Sequence, residues 1–216
     1  MSTPELTAPG PAGPRAGRRA GRRKTAVLAA ACQVIAARGA ESTRFTDVAA
    51  ASGVPVSTLQ YYFGSREDLL VAAFRHASAH ELALLAAEVS AASSPWQRIE
   101  LIVARALAGY QPGRADAGLL WIESWHLAIR DPEMRVDALR DYEGWRALVA
   151  EAVRLGAGSG DFAPAAGPDQ VAMLTIALVD GAGIPLALGD PGLTVDSATR
   201  DVLTAIRGLV RPVSRG

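Results

Sequence analysis

FTDVAAASGVPVSTLQYYF, residues 45–63, is the stretch whose reading decides the fold. It reads as two short helices joined by a tight turn. Val48 and Ala49 mark the inner face of the first helix. Gly53 supplies the turn, because a residue without a Cβ takes positive φ at no steric cost. Val54, Leu59 and Tyr62 then fall where a second helix crosses the first, and the small side chain of Ala49 lets the two approach closely. This is the helix-turn-helix arrangement, whose second helix enters the major groove of DNA. Any two amphipathic helices linked by glycine share part of the pattern. The joint agreement of Ala49, Gly53, Val54 and Leu59 favours a reader of duplex DNA.

The rest of the chain points to an all-α protein. Half of its 216 residues are apolar, aromatics are few, and alanine, the best helix former, is abundant. Alternating β-branched runs are almost absent. The net charge of zero hides an asymmetry: ten Lys/Arg against five Asp/Glu through Arg75, and twelve against seventeen from His76 onward. The basic part carries the helix-turn-helix, as suits a front end that meets phosphate. Cys32 is the only cysteine, which excludes an intrachain disulfide and fits a reducing, cytoplasmic setting. The N-terminus lacks the apolar core of a signal peptide. Residues 171–188 are nearly all apolar, but Asp180 would cost about 2.5–3.5 kcal/mol in a bilayer. Pro185, Gly181, Ala182 and Gly183 weaken a membrane span further, so a buried helix is expected.

Residues 1–21 are rich in Pro, Gly, Ala and Thr without hydrophobic periodicity and are expected to be disordered. Arg15, Arg18, Arg19, Arg22, Arg23 and Lys24 form a basic cluster at their end. It reads as a solubilising tail or as an arm that lies along phosphates or enters the minor groove. Helices are expected over 22–38, 65–89, 95–108, 119–130, 132–155, 169–188 and 194–209, besides the crossed pair. Thr43 is expected to cap the first helix of that pair. Ser65 with Asp68 forms a weak capping box for the helix after it. Residues 156–168 read as a loop.

With these elements in place, residues 23–75 resemble the DNA-binding domain of the TetR family of bacterial regulators. The resemblance rests on Arg38-Gly39, Thr46-Asp47-Val48-Ala49, Ser52-Gly53-Val54, Ser57-Thr58-Leu59, Tyr62-Phe63 and Arg66-Glu67-Asp68-Leu69-Leu70. WIESWHLAIRDPEMR at 121–135 and Asp180-Gly181 are similar, more loosely, to the C-terminal regulatory domain of the BetI-like branch. The resemblance implies a DNA-binding domain over 22–68 and a ligand-binding and dimerisation domain over 69–216. It implies a homodimeric, ligand-responsive repressor on palindromic operators, with no cofactor. Two departures stand out. Many members have Tyr where this chain has Gln60, and Lys where it has Arg66.

On the DNA side the candidates are Arg22, Arg23, Lys24, Arg44, Thr46, Ser57, Thr58, Gln60, Tyr61, Tyr62 and Arg66. Ser57, Thr58 and Gln60 face base edges or phosphates; Arg44 and Thr46 set register through phosphates. Tyr61 is expected to point outward and Tyr62 inward. Arg66 carries a guanidinium fork suited to phosphate. For an effector, Trp121 and Trp125 share one helical face and Glu123 and His126 another, with Tyr142 and Trp145 on the next helix. These residues describe a small-molecule site, one that with Glu123 would suit a cation, and equally an ordinary aromatic core. For dimerisation, Val171, Leu174, Leu178 and Gly181, with Val195, Val202 and Ile206, are expected to build an intersubunit four-helix bundle. His76 and His80 have metal-ligand spacing but no third ligand beyond Glu81, so a solvated face or pocket edge is expected and no metal. No phosphate loop, nucleophile elbow or carboxylate pair suggests an enzyme. Readings that stay open are an activator or global DNA-binding protein on the same fold, and a helical carrier or enzyme without DNA binding.

Glutamine pairs bidentately with adenine or bonds a phosphate. If Gln60 reads a base, Gln60→Ala shifts the operator preference in a binding-site selection by about 1–3 kcal/mol at one position; an unchanged preference assigns Gln60 to the backbone.

Overall fold

The computed structural model describes residues 14–110 and 117–213. Among them the chain forms α1 (Pro14–Arg38), α2 (Phe45–Ser52), α3 (Val56–Phe63), α4 (Arg66–Ser90), α5 (Pro95–Ala108), α6 (Ala117–Ala128), α7 (Pro132–Ser159), α8 (Pro168–Ala187) and α9 (Val195–Val210). The only β pairing among the described residues is one bridge, Phe162 to Pro212.

The first helix begins well before the sequence reading placed it. Residues 14–21, expected to be disordered, are helical; residues 1–13 lie outside the described residues. Ala and Arg are strong helix formers and outweigh the two glycines here, and Pro14 sits at the helix start, where its missing N–H costs little. α7 runs to Ser159 rather than ending near 155. Gly156 explains the extension. Its absent Cβ makes room for the Phe162 ring, which would otherwise lie 2.1 Å away, so the chain folds back over the helix without breaking it.

Two cores organise the helices. The first gathers Val27, Ala31 and Ile35 of α1, Val48, Val54, Leu59 and Phe63 of the crossed pair, and Leu69, Leu70, Ala73 and Phe74 of α4. It also takes in Leu120 and Ala128 of α6 and Met134 and Ala138 of α7. The second joins Leu85 and Val89 of α4 to the apolar faces of α5, α7, α8 and α9. The division expected at residue 68 therefore falls inside one unbroken helix whose two halves belong to different cores.

α8 and α9 pack largely into their own protomer. Val171, Val202 and Ile206, expected at a dimer interface, are sealed in the second core. Gly183 admits the Tyr110 ring, 2.5 Å from where its Cβ would stand. The outer face of α8 is different. Met173, Ala177, Gly181, Ile184 and Leu188 recur at helical spacing and are all exposed, as is Leu178 beside them. Leu174 and Val195 are half-buried.

Candidate functional site

α2 and α3 form the crossed pair. Gly53 closes α2 with φ 67°, the left-handed conformation the sequence asks of it, and its N–H bonds the Ala49 carbonyl. Leu59 and Phe63 anchor α3 in the core, which turns Ser57, Gln60 and Tyr61 to solvent. Tyr61 is 86% exposed while Tyr62 is half-buried, so the two tyrosines divide as expected. Thr58 is half-buried, and Thr46 and Arg44 are exposed at the start of α2. Arg22, Arg23 and Lys24 project from α1, and the Lys24 ammonium lies 5.3 Å from the centroid of the Phe63 ring. That contact sets the basic end of α1 beside the end of α3.

Two expectations fail around the α1–α2 turn. Thr43 does not cap α2. Arg44 occupies that position, its N–H bonding the Asp47 carboxylate at 3.0 Å, while the buried Thr43 hydroxyl donates back to the Gly39 carbonyl at 2.9 Å. Arg66 is turned inward rather than toward phosphate. Its Nε donates to the Thr43 carbonyl at 2.6 Å, and its Nη2 to the carbonyls of Glu41 (2.8 Å) and Ala40. The same planar fork that suits a phosphate also suits converging carbonyls, and these are closer.

Below this unit lies a cavity of about 310 Å³ walled by α1, α4, α5, α6, α7 and α8. Its aromatic lining is Phe74, Tyr110, Trp121, Tyr142 and Trp145, with Asp180 at the α8 wall. Trp121 and Trp125 stand 5.4 Å apart between ring centroids, and Trp121 and Tyr142 5.5 Å apart. Trp125 stacks on Tyr142 at 5.7 Å, backing the wall rather than lining it. The Tyr142 hydroxyl donates to the Asp180 carboxylate at 2.8 Å. Burial pushes the Asp180 carboxyl above its ordinary range, against the Tyr142 bond and the more distant Arg146 charge, which pull it down. Burial and the neighbouring carboxylate likewise raise the Tyr110 and Tyr142 hydroxyls, so both stay protonated. Among the described residues no cationic side chain ion-pairs with Asp180. His76 and His80, with rings 6.1 Å apart, form part of the rim, and Glu81 beside them is held by Arg105 at 2.5 Å.

Residues 27–73 match the family described as "Bacterial regulatory proteins, tetR family", and residues 95–211, more than half of the chain, match "BetI-type transcriptional repressor, C-terminal". The chain belongs to the TetR family. The HTH-type transcriptional regulator BetI of Rhizobium meliloti (strain 1021) is 26% identical over 190 residues, covering 85% of this chain and 88% of that protein. A transcriptional regulator from Saccharomonospora viridis, solved in complex with choline, superposes with a TM-score of 0.80 at 26% identity over 90% of this chain and all of that one. A TetR-family regulator from Rhodococcus sp. does so with a TM-score of 0.75 at 25% identity, over 88% and 99%. The protein is thus a DNA-binding transcriptional regulator of the TetR family with a BetI-type C-terminal domain, and not an enzyme.

In this TetR-family fold the expected effector residues separate. Trp121, Tyr142 and Trp145 line the cavity, but Glu123 and His126 do not. Glu123 turns to the DNA-binding unit, where its Oε2 accepts the Ala40 N–H at 2.9 Å; His126 Nε2 lies 3.8 Å from the Glu41 carboxylate. The carboxylate among the aromatic rings is Asp180, which the sequence marks as a charge inside an apolar helix and, with Gly181, as part of the family resemblance, but not as an effector residue.

Because Arg66 braces the α1–α2 turn, Arg66→Ala should lower stability by about 2–3 kcal/mol, the scale of lost charge-assisted hydrogen bonds, in thermal or urea unfolding. The salt dependence of operator binding should keep its slope, whereas loss of a phosphate contact would reduce it by roughly one unit.

Proposed function

We propose that this regulator acts in the cytoplasm as a homodimeric repressor that holds a palindromic operator and releases it when a small organic monocation enters the cavity between α4 and α8. The observation that carries the ligand class is the Asp180 carboxylate, set in an aromatic wall and, among the described residues, ion-paired to no cationic side chain. Half-buried and offset only by the Arg146 charge, without an ion pair, this carboxylate lacks a full counter-charge, which is unfavourable. A quaternary ammonium would supply that charge while its methyl groups pack against Trp121, Trp145 and Tyr110, where ring quadrupoles attract a cation. The choline complex of the Saccharomonospora viridis relative supports this class. On the DNA side, this reading gives Ser57, Thr58, Gln60 and Tyr61 the contacts to bases or phosphates, and Arg22, Arg23, Lys24, Arg44 and Thr46 those to the flanking backbone; the exposure of Ser57, Gln60 and Tyr61 supports it.

The exposed stripe of α8 supports the homodimer. Met173, Leu178, Ile184 and Leu188 form a continuous apolar face, and nothing lies within 4 Å of the Gly181 Cβ position, which leaves space for a partner helix. A two-fold pair sets two copies of α3 about one DNA turn apart or somewhat more, which requires a palindrome.

Choline should bind the wild-type protein in calorimetry and weaken its grip on a selected operator. Asp180→Asn should cut choline affinity at least about tenfold, a loss of roughly 1.4 kcal/mol. Wild-type affinity should fall as pH is lowered through the raised range of the Asp180 carboxyl, because the protonated acid no longer attracts the cation; the Asp180→Asn variant should lack that fall. Choline affinity that ignores both would refute the cation site.

Leu178→Asp combined with Met173→Asp should give a protein that sediments as one protomer and binds the operator near the non-specific level, a drop on the order of 10³ or more. A dimer that survives both changes would move the interface elsewhere.

A further inference from the structure

Two helices that wall the cavity also grip the same turn outside it. On α6, Trp121 and Ser124 face the cavity, while Glu123 between them reaches out to the Ala40 N–H at 2.9 Å. On α4, His76, Ala77 and His80 face the cavity, while Arg66 at the other end holds the carbonyls of Ala40, Glu41 and Thr43. Ala40 is therefore bound through its N–H by one wall and through its carbonyl by the other. The turn it belongs to joins α1 to α2. Gly39 ends α1 with φ 79°, and a Cβ there would stand 3.4 Å from Glu123 Oε1, so the carboxylate closes directly over the turn. Beyond it, Arg38 pairs with Asp47 at 2.7 Å, and Asp47 accepts the Arg44 N–H at 3.0 Å, which ties the turn to the first residues of α2.

We infer that Glu123 is the positioning residue that carries occupancy of the cavity to the helix-turn-helix, through its hydrogen bond to the Ala40 amide. The inference rests on the reading that an effector fills this cavity and that α3 meets DNA. A ligand against Trp121 and Ser124 shifts a rigid helix whose next side chain is fastened to the turn, so the aim of α2 and α3 follows α6. An N–H bonded to a carboxylate is a stronger tether than one bonded to a neutral acceptor. Arg66 supplies a second hold from α4, but it sits far along that helix from the cavity residues. Glu123 is flanked by them. Coupling of this kind is a difference in affinity that two sites impose on each other.

The test is a cycle between an occupant and the tether, read as the factor by which the occupant weakens binding to a selected operator duplex. Two occupants are used: saturating choline, and Ala106→Phe, which fills the cavity from α5 and needs no ligand. In the wild-type background the factor should lie in the range typical of allosteric coupling, roughly 5–150. Glu123→Ala should bring it down to within about twofold of unity for each occupant that acts. Glu123→Gln, whose amide oxygen still accepts the Ala40 N–H, should retain most of it, which a merely structural loss would not explain. A response to Ala106→Phe but not to choline, abolished by Glu123→Ala, would sustain the tether and reject the cation reading. An undiminished factor in Glu123→Ala, or no response of the wild-type protein to either occupant, would overturn the tether.

Discussion

A single helix that belongs to two hydrophobic cores constrains everything else in this molecule. α4 spans 25 residues, about 37 Å of nearly rigid rod. Leu69, Leu70, Ala73 and Phe74 bind its first half under the helix-turn-helix, while Leu85 and Val89 bind its second half among α5 and α7. Packed interiors transmit displacement rather than absorb it, so neither core can shift without tilting the other. Arg75 reinforces the midpoint by pairing with Asp137 at 2.5 Å and Glu133 at 2.7 Å on α7. The cavity opens beside this junction, where a modest change in the walls meets both halves.

The cavity itself is a study in charge placed where water is scarce. Tyr142 satisfies part of the Asp180 carboxylate by donating its hydroxyl proton, and its ring is held between Trp125 and the Arg146 guanidinium, 5.2 Å from its centroid. The tyrosine is thus fixed by stacking and by a hydrogen bond together. Asp180 shares the cavity lining with the rings of Tyr110, Trp121 and Trp145. In the proposed reading, such a site takes an occupant whose charge lies under methyl groups rather than one that needs its own hydration shell.

Much of the fold was legible because the local signals are chemically specific. Gly53 had to turn the chain, Ser65 with Asp68 had to open α4, and Pro95 and Pro132 had to begin helices; each does so. The site was less legible. Helical spacing says that Trp121 and Trp125, or Glu123 and His126, share a face, but not what that face meets. α6 lies between the cavity and the DNA-binding unit, so its two faces serve different neighbours, and Glu123 belongs to the second. Asp180 reads in the sequence as an obstacle to membrane insertion and as part of a loose family resemblance, because no periodicity reveals that Tyr110 and Tyr142 are its neighbours in space. Val171, Val202 and Ile206 read as interface for the same reason: an apolar helix shows how much it buries, not whether a partner or its own chain does the covering. Arg66 looked like a phosphate ligand until the carbonyls of residues 40–43 were found within its reach.

α3 is only eight residues long, two turns that would not hold together alone in water. Its shape is imposed from beneath by Leu59 and Phe63, and Ser57, Gln60 and Tyr61 contribute to neither core. Changes at such surface positions typically alter stability by less than about 0.5 kcal/mol. The surface proposed to meet DNA is therefore nearly free to mutate without cost to folding, while the chamber built around Asp180 is locked into the packing. Duplicated descendants of such a gene can acquire new promoters long before they acquire new inducers.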